Sequence, residues 1–209
     1  MRRRAGQAQG GKCGPGCQPG IRPSDVVLNF SPLGNVVPTG RCLPHWEQEG
    51  RTYFVRYCTA RGLQLPPRAR DVVIENLRHW HGHRYVVHQA VVMPDHVHLL
   101  ITPLAKQEEG PQPGRLCHTI QASNASQMWR LREILHTAKS YTANVINRLL
   151  RRQGTVWQDE SFDRIVRSGA ELERRWEYIR NNAVERGLAR WPEEYLWLYE
   201  SSPEHEGGA

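Results

Sequence analysis

The sequence is poor in lysine and in long apolar runs, and it contains no internal repeat. No apolar stretch approaches the ~20 residues that a membrane-crossing helix needs, so no membrane partner is expected. Met1-Arg2-Arg3-Arg4 opens on positive charge, but no apolar segment follows it as one does in a secretory signal. The expectation is a soluble, cytoplasmic chain. Cysteine occurs five times, at Cys13, Cys17, Cys42, Cys58 and Cys117. An odd number without a signal segment argues against a disulfide framework. Cys13 and Cys17 lack a second pair to complete a zinc site and carry little metal signal.

The charge balance is what the sequence does have. Lys+Arg number 28 against 21 Asp+Glu, for a net charge of +7 and a sequence pI of about 9.5. A basic chain favours an anionic partner, with nucleic acid the leading candidate. Lysine appears only at Lys12, Lys106 and Lys139, so the cations are nearly all arginine. The planar guanidinium suits phosphate because it makes two parallel hydrogen bonds. A GC-rich genome, whose codons favour arginine, explains the same bias, and both readings stay open.

A chain of 209 residues holds one sizeable domain with tails. Residues 1–42 are rich in Gly, Pro and Arg without periodicity, and are read as a disordered or loosely packed basic tail. The folded domain is placed at 43–200, with a frayed end at 201–209. Residues 51–59 alternate like a strand. Pro66-Pro67 then introduce a helix with Val72, Val73, Asn76, Leu77 and Trp80 at helical spacing, ending by Gly82. Tyr85 to Met93 and His96 to Thr102 read as two antiparallel strands joined by the turn Pro94-Asp95. Residues 103–124 form a long loop. A helix is expected over 126–152, with Leu131, Leu135, Ala138, Thr142, Val145 and Leu149 as its apolar stripe. A strand over 156–167 follows, and then a helix from Ser168 to Gly187 with Leu172, Trp176, Ile179 and Ala183 inward. The aromatic segment Trp191 to Tyr199 is expected to pack back onto the domain. The order β-α-β-β-α-β-α predicts an α+β fold: a ferredoxin-like split β-α-β, with an antiparallel four- to five-stranded sheet and helices mainly on one face.

Two groups of residues carry chemistry. In Met93-Pro94-Asp95-His96-Val97-His98-Leu99-Leu100, strand alternation turns His96 and His98 to the same side and Val97 to the other. Two adjacent neutral imidazoles can chelate a divalent ion; they can equally be two packed histidines. A second cluster, His79, His81, His83 and His88, is read as a solvated helix end. On the last helix, Tyr178 and Asn182 stand one turn apart, beside the buried stripe. Such a pair can present a phenol and an amide oxygen to one point, or simply pack on the sheet.

Together these stretches resemble the HUH endonucleases, in which two histidines flank an apolar residue. They resemble more closely the REP-associated tyrosine transposases of that superfamily. The resemblance spans residues 43 to 190. It rests on Met93-Pro94-Asp95-His96-Val97-His98-Leu99-Leu100, Leu43-Pro44-His45-Trp46, Thr52-Tyr53-Phe54-Val55 and Lys139-Ser140-Tyr141-Thr142-Ala143. Val156-Trp157-Gln158, Phe162-Asp163-Arg164-Ile165-Val166-Arg167 and Tyr178-Ile179-Arg180-Asn181-Asn182-Ala183-Val184 complete it. It implies that His96, His98 and Asn182 bind a divalent metal, Mg²⁺ or Mn²⁺, and that Tyr178 is the nucleophile. It implies a transposase-like endonuclease and strand transferase that cuts single-stranded DNA beside hairpins of palindromic repeats and keeps the 5′ phosphate on tyrosine. Members act as monomers or homodimers. Ala183 replaces the family's usual Pro, Ser161 an aromatic, and the 103–124 loop is long for the family.

Arg164, Arg167, Arg174, Arg175 and Arg180 are the nearest candidates in sequence for contacting DNA. Tyr141 is a rival nucleophile, although its helical spacing fits a core or groove-lining place. Three other functions remain: a hairpin-binding protein that no longer cuts, a hydrolase using water, and an RNA-binding ferredoxin-like domain.

Overall fold

The computed structural model describes residues 37–39, 45–106 and 127–201. The expected tails and most of the expected 103–124 loop lie outside these residues, as do Cys13, Cys17, Cys42 and Cys117. Strands β1 (Val37–Thr39) and β2 (His45–Glu47) form a two-stranded antiparallel ribbon. The main sheet has five strands: β3 (Tyr53–Thr59), β4 (Tyr85–Val92), β5 (His96–Pro103), β6 (Trp157–Ile165) and β7 (Leu198–Glu200). Their order is β6-β3-β5-β4-β7, and every neighbour is antiparallel. Strands β3 and β4 thus run parallel with β5 between them, which is the split β-α-β arrangement. Helices α1 (Pro67–His79), α2 (Leu131–Leu149) and α3 (Gly169–Glu185) complete an α+β fold. Among the described residues no helix is long and apolar enough to cross a membrane.

Local sequence explains the element ends. Pro67 sits in the first turn of α1, where its fixed φ fits and its missing N–H costs nothing. Gly82, at φ 78°, turns the chain from α1 into β4. The Ser168 hydroxyl accepts from the Glu171 amide and caps α3, while the Glu171 carboxylate accepts from the Arg167 amide. Helix α2 begins later than its apolar periodicity predicts. Met128 instead bridges Ala105 in extended conformation. Its buried stripe is also rotated: Ile134 and Ile146 point inward in place of Val145 and Leu149, and Leu149 is exposed.

Two apolar layers flank the sheet. Helices α1 and α2 cover one face, where Val73, Leu77, Ile134 and Ile146 meet Val55, Val87, Val97 and Leu99. Helix α3, joined by Tyr195 from the aromatic tail, covers the other, with Leu172, Trp176 and Ile179 against Phe54, Val91, Met93 and Leu100. A bulge between Val87 and Gln89 makes both layers possible. It shifts the parity of β4, so Val87, Ala90 and Val92 share the α1–α2 face and Val91 turns toward α3. The aromatic tail packs back through Tyr195, whose hydroxyl donates to the Val92 carbonyl at 2.9 Å. The Trp197 indole donates to Asp71 at 2.7 Å, with the Arg70 guanidinium stacked 3.5 Å from its ring.

The bulge residue His88 is buried and hydrogen-bonded to Thr102 at 2.8 Å, which in turn meets Thr52 at 2.8 Å. Burial, aided by the charge of His81, pushes the His88 ring down from 6.5 to about 4. The unfolded chain therefore binds a proton that the folded chain refuses between those values. Stability is fully present above pH 6.5 and falls as pH drops toward 4, by on the order of 3 kcal/mol from His88 alone. Urea unfolding at pH 7.5 and pH 4.5 measures this. His88→Gln should flatten part of the pH dependence, and an unchanged profile would assign the acid loss elsewhere.

Candidate active site

His96 and His98 occupy the central strand β5, on the face toward α3. Their rings lie 4.7 Å apart at 80°, and both are almost fully buried, at 2% and 1% exposed. Strand pleating sends Val97 to the opposite layer. Both Nε2 atoms face one ribbon of α3, at two positions a helical turn apart. His96 Nε2 lies 3.3 Å from Asn182 Oδ1, and His98 Nε2 lies 3.4 Å from the Tyr178 hydroxyl. Asn182 is buried, while Tyr178 is 39% exposed, so its ring edge reaches solvent. Trp176 and Ile179 fix the helix by packing into the layer beneath. Phe54 supports the cluster from β3, stacked on His98 at 5.4 Å and edge-on to Tyr178 at 6.1 Å.

Asp95, next to the pair, orients it. Its Oδ1 meets His96 Nδ1 at 2.6 Å, and Arg186 from the end of α3 reaches its Oδ2 at 3.5 Å. Burial alone would raise the Asp95 carboxyl. The His96 hydrogen bond and the charges of His96 and Arg186 outweigh burial and hold it below its ordinary value. With the Nδ1 proton committed to Asp95, His96 Nε2 presents a bare lone pair. That lone pair faces the amide oxygen of Asn182, a second acceptor. Burial also disfavours the protonated form of both rings. His98 is pushed down to about 3 by burial and then by the charges of His96, Arg56, Arg175 and Arg186. His96 is lowered chiefly by burial, against the opposing pull of Asp95. Two neutral imidazoles and an amide oxygen on neighbouring positions, with acceptors facing each other, fit a divalent cation. No cluster of three His, Cys, Asp or Glu suited to a metal occurs among the described residues; the third donor here is the amide.

The arginines divide. Arg175 lies over the Phe54 ring at 4.5 Å, beside the site. Arg174 is exposed one turn before Tyr178 on α3, and Arg167 is exposed just ahead of that helix. Arg164 is half exposed and paired with Glu171 at 3.0 Å. Arg180 does not belong with them. It lies about 200° round the helix from Tyr178, and its guanidinium is bound by Glu200 at 2.7 Å and by Glu193. Its charge is spent on holding β7 to α3.

Tyr141 is also corrected. It is neither core nor groove lining but 55% exposed, on α2. That helix covers the opposite face from the histidines. A groove of about 1220 Å³ lies on that side too, between α2 and β6, near His136, Lys139 and Trp157. The clustered histidines near the end of α1 do not converge on a site: His79 and His83 are exposed, His81 accepts from the Val87 amide, and His88 is buried in the sheet. Sequence reasoning missed Asp95, Phe54, Arg56 and Arg186. Alternation on β3 was the available signal for two of them, since it puts Phe54 and Arg56 on one face. Asp95 was read only as a turn residue.

No family model matches the sequence, and no curated protein matches it. Among solved structures the chain is similar to a REP-associated tyrosine transposase bound to a REP hairpin. The match has 17% identity and a TM-score of 0.50, covering 72% of this chain and 76% of that one. At that identity the likeness speaks for the fold, a distant structural relationship built on the same kind of antiparallel sheet and helices.

Proposed function

We propose that the protein is a tyrosine transposase-like nuclease, acting in the cytoplasm at the nucleoid, that cuts single-stranded DNA beside hairpin-forming repeats. The observation that carries this reading is the gathering of Tyr178 and His98, 3.4 Å apart, with His96 and Asn182, 3.3 Å apart, on one face of the sheet. The hairpin bound by the structurally similar transposase supports the choice of partner.

The Tyr178 hydroxyl gives up its proton as its oxygen attacks phosphorus, the bond to the 3′ oxygen breaks, and that oxygen takes up a proton and leaves as a 3′ hydroxyl, with no net proton released. The 5′ phosphate remains on the tyrosine as an ester. A second 3′ hydroxyl can reverse the step and join strands, because the phosphotyrosine keeps the energy of the bond that was cut. His96, His98 and Asn182 would hold Mg²⁺ or Mn²⁺, which when bound neutralises charge on a non-bridging oxygen. Asp95 fixes the His96 ring so that Nε2 faces the site. Phe54 and the buried stripe of α3 set the angle of Tyr178. Arg174 and Arg175 supply positive charge beside it, where the anionic strand must approach.

The test is to incubate the protein with Mn²⁺ and a hairpin DNA carrying single-stranded flanks. A protein–DNA adduct that survives denaturation and disappears on protease treatment is expected. Binding should also weaken steeply with salt as phosphate contacts release counterions. Binding without an adduct would leave a hairpin-binding protein that does not cut, and salt-insensitive binding would contradict the arginine surface.

A further inference from the structure

The face that carries the histidines continues outward to the sheet edge. In register across three strands stand His98 on β5, Arg56 on β3 and Phe162 on β6. Phe162 is 51% exposed and meets Phe54 edge-on at 6.4 Å. Phe54 in turn stacks on His98. A large aromatic left half in water, with a buried aromatic holding its edge, is an open ring surface of fixed orientation. Arg56 is exposed between it and the site, and forms no ion pair among the described residues. Two strand spacings, about 10 Å, separate Phe162 from His98, within reach of a nucleotide neighbouring one held at Tyr178.

We infer that Phe162 is a stacking platform for an unpaired DNA base flanking the scissile phosphate, with Arg56 holding the phosphate between that base and the site. The inference rests on the proposed nuclease reading and adds the subsite that selects unpaired over paired DNA. Every base offers a π face, so the platform accepts any unpaired base, whereas a base inside a duplex is already stacked. Among the described residues Phe162 meets no ring but Phe54, and its neighbour Arg56 supplies the charge that a sugar-phosphate strand requires.

The experiment compares two hairpins with the same stem, one blunt and one carrying a single-stranded flank with 2-aminopurine, by anisotropy and by fluorescence quenching. Wild-type protein should bind the flanked hairpin more tightly and quench the probe. Phe162→Ala should lose about tenfold in affinity for the flanked hairpin, with binding of the blunt one unchanged. Phe162→Trp should restore both affinity and quenching, and Phe162→Leu, apolar but not aromatic, should restore neither. Arg56→Gln should lower the slope of log affinity against log salt by about one. If Phe162→Ala weakens both hairpins equally, or if leucine serves as well as tryptophan, the stacking subsite is wrong while the nuclease reading stands. An unchanged salt slope removes Arg56 from the subsite. If wild-type protein binds neither hairpin, the proposed function falls and this inference with it.

Discussion

Tyr178→Phe protein, mixed with Mn²⁺ and flanked hairpin DNA, is expected to form no covalent adduct. Yield should fall at least about a thousandfold, because the substitution removes the attacking oxygen and nothing else. The ring keeps its edge contact with Phe54 and His98. The lost hydroxyl makes one long contact, 3.4 Å to His98, so stability should move by less than about 1 kcal/mol. Hairpin affinity should stay within about twofold, since binding rests on phosphates and unpaired bases rather than on the phenol oxygen. Tyr141→Phe is the matched control. Its ring lies on the helix covering the other face, and it should cut at the wild-type rate. Normal cleavage by Tyr178→Phe with loss in Tyr141→Phe would exchange their roles. Normal cleavage by both would make water the nucleophile.

The second large effect concerns the metal. Without DNA, Mn²⁺ should raise the melting temperature of wild-type protein, because an ion that binds only the folded chain stabilises it by RT ln(1 + [L]/Kd). His96→Ala or His98→Ala should abolish that rise. Asp95→Asn is more informative, since it leaves all three proposed ligands in place. It removes the carboxylate that accepts the Nδ1–H hydrogen bond at 2.6 Å, and loss of such an orienting partner weakens metal affinity about 10- to 100-fold. The rise should then survive only at correspondingly higher Mn²⁺. An undiminished rise in His96→Ala and His98→Ala alike would place the ion somewhere else.

Much of the fold could be read from the chain. Tyr53–Thr59, Tyr85–Val92 and His96–Pro103 announce themselves by β-branched and aromatic residues between turn signals, and α1 by Pro67 at one end and Gly82 just beyond the other. The gathering of His96, His98, Tyr178 and Asn182 is likewise what period two on a strand and period 3.6 on a helix imply, once α3 lies on the histidine face. That condition was not legible. Periodicity says which side of a helix is apolar, not which face of the sheet receives it. The bulge at His88 was hidden too, because Val86, Val87, Ala90, Val91 and Val92 are apolar on either side of it and alternation carries no mark of the slip. The fate of Arg180 depended on a strand, β7, whose partner lies more than 100 residues away in sequence. Nearness in sequence to Tyr178 was a poor guide, since two steps along a helix point a side chain to its far side.

The contact between His96 and Asn182 spans 86 residues of chain, and that spacing has a consequence for synthesis. A ribosome adding about 5–20 residues each second incorporates His96 roughly 4–17 s before it reaches Asn182 at the end of that interval. Until then the nascent polypeptide has imidazoles and no phenol or amide to face them. Helix α3 can seat only after Trp176 and Ile179 have emerged, and β7, which ties it down through Glu200 and Arg180, emerges later still. The cluster can thus form only late in synthesis, and any chain interrupted before residue 178 lacks both the proposed nucleophile and the amide that faces His96.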